Sequence, residues 1–477
     1  MIFTSYTYAV FLTAVFLLHW TIPNQFRKPL LIVASYVFYA TWKWQFGFLL
    51  LALSLFNWMY GRWILPRAST VVPLAVGILA NLSALIYFKY SNFLIANAAA
   101  VAQLFGSGWR PSPADIVLPL GISFFTFQGI AYLFDVAAGE EPLESLGDFL
   151  LFKAMWPQLI AGPIVRLSEM RAQIQSRRFI DYVDLAEGGK RILHGAFKKM
   201  VLADNIAPYV DMAFLTGASP NALDVVAGTV GFGLQIYFDF SAYSDIAIGS
   251  ARLFGFRFPE NFDWPYAAAS PQEFWNRWHM TLSRWIRDYL YTPLTFVGRA
   301  RPQLAPVWLL LTMALCGLWH GAQWTFVAWG TWHGVLLTAN QTFAKGFFAG
   351  SPNTAAGASH VPRAVRTSLT LLLVYIGWVL FRAHTLRQAF DYFAAVLSLR
   401  GGLRPAVLNE NGILLIAMIG IGLLVAQVIR TRWSNWQLSP SFAGRLLRGG
   451  LPFGYAAMLA SIIIFDQEAR AFVYFQF

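Results

Sequence analysis

Residues 311–334, LTMALCGLWHGAQWTFVAWGTWHG, constrain the chain most. The run is apolar and tryptophan-rich, and nothing in it is charged at neutral pH. Crossing the hydrocarbon of a bilayer takes about 20 apolar residues, and this run is long enough. It carries two histidines, His320 and His333, each in the same frame, Gly-x-Trp-His-Gly, at 317–321 and 330–334. Small residues at i and i+4 let two membrane helices approach closely. A titratable ring at membrane depth is rare and usually faces a partner or a wet cavity. A buried neutral imidazole can also do no more than lock helices by donating to a backbone carbonyl. From the residues alone both roles stay open for either ring.

The rest of the chain agrees with a membrane setting. Of its 477 residues, 57% are hydrophobic and 12% charged, against about 25% charged in a soluble domain. The mean hydropathy is +0.52. The chain has room for roughly a dozen spans, which points to an all-α, polytopic helical membrane protein forming one domain over residues 1–477. The net charge is +12, but the basic residues lie between apolar runs. That placement reads as positive-inside topology with lipid neighbours, not as a nucleic-acid partner. The single cysteine, Cys316, excludes a disulfide framework. It lies four residues before His320; inert packing is the default for such a thiol, with an acyl-carrier role as the alternative. No phosphate loop and no zinc spacing occur, so no metal site is expected.

In chain order, apolar runs at 8–20, 30–40, 48–60 and 72–88 read as spans, the first retained and not a cleaved signal. If the basic loops are cytoplasmic, the N-terminus is periplasmic. Trp42-Lys43-Trp44 reads as an interfacial belt. The 91–105 run suits a short or re-entrant crossing, and 116–136 a further span holding Gln128. Residues 149–166, FLLFKAMWPQLIAGPIVR, contain Pro157 and Pro163. A segment so broken is tolerated at membrane depth only inside protein or beside water. The basic region that follows, from Arg166 to Lys199 and including Arg177 and Arg178, reads as cytoplasmic. The 200–215 run would cross outward. Asp239 and Asp245 then sit in the apolar 225–248 run, where a carboxylate costs about 2.5–3.5 kcal/mol. They are candidates for orienting a ring or for closing an ion pair with an arginine or a helix N-terminus.

Ser270-Pro271-Gln272-Glu273 forms a capping box and predicts a helix through FWNRWHMTLSRWIRDYLY. Trp275, Trp278, His279, Leu282, Trp285, Ile286 and Tyr289 would share its apolar side. Arg277, Arg284 and Arg287 would share the other. Such a basic amphipathic helix lies at the membrane surface or under the bundle. Its guanidinium forks suit phosphates, with lipid head groups as the alternative. Beyond residue 334 come a polar loop at 350–362, spans at 368–381, 413–428 and 451–465, a short apolar segment at 390–397 and a basic stretch at 430–448.

Five stretches, in order over nearly the whole chain, carry a family resemblance: WPQLIAGPIVR (156–166), YFDFSAYSDIAIG (237–249), FWNRWHMTLSRWIRDYLYTPL (274–294), GLWHGAQWTFVAWGTWHG (317–334) and GWVLFRA (377–383). Together they resemble the bacterial branch of the membrane-bound O-acyltransferase (MBOAT) family. The resemblance implies a ring of tilted helices around a pore, with re-entrant and amphipathic cytoplasmic helices, where donor and acceptor meet from opposite faces. It implies that His320 is the catalytic histidine and that His279 fills a second polar position. Trp319, His333, Asp239, Asp245, Arg277 and Arg284 would bind donor or support the site. It further implies acetyl-CoA as a donor substrate, with no resident cofactor. The acceptor would be an exported polysaccharide such as alginate, reached directly or through a periplasmic acetyltransferase, and the location the bacterial inner membrane. Two other readings stay open: D-alanyl or fatty-acyl transfer within the same family, and a non-enzymatic transporter.

Overall fold

The computed structural model describes residues 1–477 except 69, 177–178, 216, 218, 344–360, 403, 439–441, 467–469 and 474–477; side chains at 300, 302, 342–343, 431–438 and 442–449 are also outside it. Arg177, Arg178, most of the 350–362 loop and most side chains of the 430–448 stretch therefore lie outside the described residues. The chain forms two compact units. One comprises Met1–Arg191 with Ala247–Glu260; the other comprises Ile192–Ile246 with Asn261–Gln476.

Among the described residues every regular element is helical. Five helical segments are long and apolar enough to cross a membrane: Gln45–Arg67, Val72–Leu104, Ala222–Leu253, Arg363–Arg382 and Glu410–Arg430. Shorter apolar helices are Tyr6–Thr21, Ile122–Ala137, Ala305–His320 and Gly450–Ile464. The protein is a multi-pass membrane protein.

Several boundaries depart from the hydropathy reading. The 72–88 and 91–105 runs belong to one helical segment, joined through a wider turn at Ile86–Tyr90. The 116–136 span starts only at Ile122, after Gly121 in a left-handed conformation (φ 71°). A Cβ there would lie 2.7 Å from the Leu159 carbonyl oxygen, so the turn needs glycine. The 200–215 run is the end of a helical stretch that begins at Tyr182 and passes through a wide turn at Lys198–Ala203. The basic residues of that region are thus partly on a helix and not in a loop.

In the first unit the twice-broken segment behaves as its prolines require. A helix, Leu146–Ala154, is followed by one turn, Trp156–Leu159, and then by extended chain. Residues 151–165 are all buried. Gln128 Nε2 donates to the Phe152 carbonyl at 3.0 Å and to that of Val165 at 3.4 Å. Two carbonyls of the broken segment are thus satisfied by a protein side chain, as membrane depth demands.

In the second unit the aromatic residues do the packing. Trp378 stacks on Trp329 at 6.1 Å between centroids and meets Trp278 at 5.1 Å and Phe381 at 5.6 Å. Such pairs contribute about 0.5–1.5 kcal/mol each beyond area burial. In lipid there is no hydrophobic drive between helices, so close packing and small-residue contacts carry association.

Candidate active site

The 311–334 run is two helices, not one crossing. Ala305–His320 ends at Gly321, whose backbone is extended (φ −157°, ψ 144°), and Trp324–Phe343 returns. Both sides of the turn are apolar, so hydropathy could not reveal it. The repeated glycines explain the pairing. A Cβ on Gly317 would lie 2.1 Å from the Phe326 carbonyl oxygen, and one on Gly330 2.1 Å from that of Met313. The two backbones touch where the sequence has no side chain, as the small-residue spacing implied.

This hairpin places His320 at the last position of its helix, with 4% of its surface exposed. Trp319 lies 4.9 Å away between ring centroids, Trp329 stands edge-on at 5.0 Å and Phe381 lies at 5.5 Å. His333 lies 5.0 Å from Trp329 on the other side. Its Nδ1 accepts a hydrogen bond from Trp275 Nε1 at 3.3 Å, and Phe274 stacks on it at 6.0 Å.

His279 does not lie on a continuous amphipathic helix. The capping residues work as read: Ser270 Oγ accepts from the Glu273 N–H at 3.1 Å. Glu273 Oε2 accepts from the Ala269 N–H, one residue before the cap. The helix stops at Trp275, and a second begins at Met280 after His279, whose backbone is left-handed (φ 42°, ψ 54°). Such a conformation costs a non-glycine residue about 1–3 kcal/mol and persists only where the surroundings enforce it. Here the 261–263 segment enforces it. The Met280 N–H donates to the Asn261 carbonyl and the Asp263 N–H to that of Arg277, both at 2.9 Å. The apolar side was otherwise read correctly, since Trp275, Trp278, His279, Leu282, Trp285 and Ile286 are all buried.

Asn261 also sets the tautomer of His279. Its Oδ1 accepts from the Thr281 N–H at 3.3 Å and Oγ1 at 2.9 Å, while its Nδ2 donates to Ser244 Oγ at 3.0 Å. The amide orientation is therefore fixed, and His279 Nδ1, 3.1 Å from the same Oδ1, must carry the proton. The lone pair is then on Nε2. Phe240 backs the ring edge-on at 4.6 Å. Trp319 lies 6.4 Å from His279, so His279 and His320 flank one indole.

The two carboxylates close ion pairs, and their partners are lysines, not arginines or a helix end. Asp245 pairs with Lys198. Asp239 meets Lys199 at 3.0 Å and accepts from the Val473 N–H at 2.7 Å. Lys199 also meets Asp204 at 2.8 Å. Arg277 is committed as well, at 3.0 Å from Glu273 and 3.3 Å from Asp263.

Arg284 and Arg287 instead line a cavity of about 850 Å³, with Met280, Cys316 and Asn340 among its other walls. The ring of His320 is not a lining residue; Cys316, one helical turn before it, is. Met280, next to His279, and Trp275, hydrogen-bonded to His333, also line it. Sequence reading missed Asn261, Asn340 and the lysine partners. An asparagine in a loop or at a helix end gives no periodic signal, and Lys198 and Lys199 read as part of a cytoplasmic basic patch.

A family model for the membrane-bound O-acyltransferases matches residues 145–375, which contain all three of these histidines. The probable alginate O-acetylase AlgI of Azotobacter vinelandii is 40% identical over 408 residues, covering 83% of this chain and 78% of that protein. The chain belongs to the membrane-bound O-acyltransferase family. The peptidoglycan O-acetyltransferase of Helicobacter pylori is 34% identical, over 79% of this chain and 75% of its own length. The teichoic acid D-alanyltransferase of Streptococcus thermophilus is 32% identical over 47% of this chain and 57% of its own. This acyltransferase is thus similar over about four fifths of its length to relatives named for acetyl transfer and over about half of it to one named for D-alanyl transfer.

Proposed function

We propose that this O-acyltransferase takes acetyl from cytosolic acetyl-CoA and passes it to hydroxyls of an exported polysaccharide such as alginate. It would act in the bacterial inner membrane, N-terminus periplasmic, with a periplasmic acetyltransferase completing the delivery. The observation that carries this reading is the pair of imidazoles, His320 and His279, flanking Trp319 beside a cavity with guanidinium groups in its wall. The relatives named for acetylation of alginate and of peptidoglycan, both similar over about four fifths of the chain, support the acetyl group and the glycan class.

In this reading the acceptor oxygen attacks the thioester carbonyl carbon. His320 takes the hydroxyl proton as the C–O bond forms. Collapse of the tetrahedral species breaks the C–S bond, and the departing thiolate takes that proton from the imidazolium and leaves as the thiol. A positioned imidazole contributes about 10²–10⁴-fold to such a step. His279, with its Nε2 lone pair, is the second acceptor at the reacting centre. The indole walls keep out water that would hydrolyse the donor. Arg284 and Arg287 would meet the donor's phosphates, which match the guanidinium fork. Asp239, Asp245 and Arg277 hold the scaffold.

The test is to give sealed inner-membrane vesicles acetyl-CoA labelled in the acetyl group. Label should appear as alkali-labile ester on the glycan. Label retained in the thioester while D-alanyl or fatty-acyl donors are consumed would overturn the acetyl assignment.

A further inference from the structure

The helix Arg363–Arg382 turns Gly377 toward His333 and Phe381 toward His320. Another face of it borders a second cavity, of about 780 Å³, whose other walls include parts of Ala222–Leu253, Leu386–Leu397 and Glu410–Leu438. Apart from Thr229, Ser368 and Gln427 the lining side chains are aliphatic or aromatic, and Thr229 Oγ1 donates back to the Val225 carbonyl. Leu372 and Leu424, on two of the walls, are 58% and 55% exposed, so the cavity opens outward, where a membrane protein meets hydrocarbon. From Ser368 to Val379 the wall rises about 16 Å, close to the depth of one leaflet when the hydrocarbon core is about 30 Å thick.

One end of this groove is basic. Arg363 lies on the turn before Ser368, and Arg430 one turn beyond Gln427. Arg363 meets Glu273 at 2.8 Å, Arg430 meets Asp263 at 2.6 Å, and Arg277 bridges the two carboxylates. That chain of contacts brings both arginines to the same end. There Arg363 donates to the Ala267 carbonyl and Arg430 lies over Trp264, on either side of Tyr266 in the cavity wall. Three cations share two carboxylates, so the end stays positive. Arg363 and Arg430 are 53% and 47% exposed, and each reaches its carboxylate through Nη2. A guanidinium has five N–H donors, and the remaining ones suit a phosphate. We infer that the groove binds an anionic phospholipid, with one acyl chain along its length and the phosphate on Arg363 and Arg430. Basic pockets between membrane helices select such head groups. A choline lipid carries the same phosphate with a fixed cation beside it, which the arginines repel. No residue lines both this groove and the cavity that Arg284 lines; the phospholipid is a resident ligand, not an acyl donor.

The full chain, stripped of lipid in detergent, is titrated with dioleoylphosphatidylglycerol, with dioleoylphosphatidylcholine and with the soluble head group glycerophosphoglycerol. Bound molecules are counted by native mass spectrometry. The native protein should hold the glycerol lipid about tenfold more tightly than the choline lipid and should not measurably hold the head group alone. Replacing both arginines, Arg363→Gln with Arg430→Gln, should bring the two lipids within about twofold of each other. Gly420→Leu tests the groove independently. A Cβ at Gly420 meets Leu234 Cδ1 at 3.6 Å, an ordinary contact, so the larger side chain fills the groove without strain and should weaken both lipids about tenfold. Size exclusion reports an intact fold for each variant. Equal binding of the two lipids by the native protein overturns the proposal. So does a preference that survives both variants, which places the anion elsewhere. Head-group binding as tight as that of the whole lipid makes this a site for free phosphate and overturns the groove.

Discussion

At the scale of single residues the candidate site rests on two imidazoles that are held in place differently. His320 ends a helix and is held by aromatic edges. His279 is held by a strained backbone and by one carboxamide. His320→Ala should lower O-acetylation by at least about 10²-fold while the protein still accumulates in the membrane; ester content of the glycan and immunoblotting of membranes check both parts. Normal acetylation in that variant would remove His320 from the mechanism. Asn261→Leu should leave His279 in place but release its tautomer and tilt, lowering kcat about 10²-fold with KM little changed. Steady-state thiol release measures the split. His320 and His279 were picked out in the sequence as candidates by the family resemblance, the residues alone leaving a structural role open for both. Asn261 was not, since its importance comes from the fold bringing residue 261 beside residue 279.

At the scale of elements, glycines decide how the hairpin closes. Gly330→Ala would push a methyl group to 2.1 Å from a backbone oxygen, whereas at Gly334 the same group meets Leu310 Cα and Met313 Cβ at 3.2 Å. Backbone cannot yield as a flexible side chain can. Gly330→Ala should therefore destabilise by about 3 kcal/mol and Gly334→Ala by less than half of that. Thermal unfolding of the two variants in detergent gives the ranking, and equal melting temperatures would contradict it. The motif Gly-x-Trp-His-Gly was visible in the sequence, and so was its use for close approach. The turn between its two copies was hidden, because long apolar runs flank it on both sides and the single uncharged polar residue there, Gln323, does not interrupt the hydropathy. The break at His279 was hidden for a related reason. Residues 274–289 keep helical spacing of their apolar side chains across it, so periodicity alone predicts one helix where two occur.

At the scale of the molecule, composition was enough to read an all-helical membrane protein, since it depends on the sum of many apolar residues and not on any one. The pairing of buried charges was not readable in the same way. Lys199 stands between Asp204 and Asp239, and Asp239 also receives the Val473 N–H from the far end of the chain. Lys199→Met leaves two buried carboxylates without their cation and should destabilise by about 3–5 kcal/mol, with part recovered on adding Asp239→Asn. Fluorescence-detected size exclusion after a heating series would show the loss and the recovery. The seam between Gly317 and Gly330 has one more implication, for anyone wishing to alter the cargo. With no side chains there to shorten and neither glycine in the wall of the cavity that Arg284 lines, the seam cannot be trimmed to enlarge that cavity. Admission of a propionyl or butyryl group would have to come from trimming Met280 or Leu282, so selectivity for chain length should move with those two positions and stay indifferent to the seam.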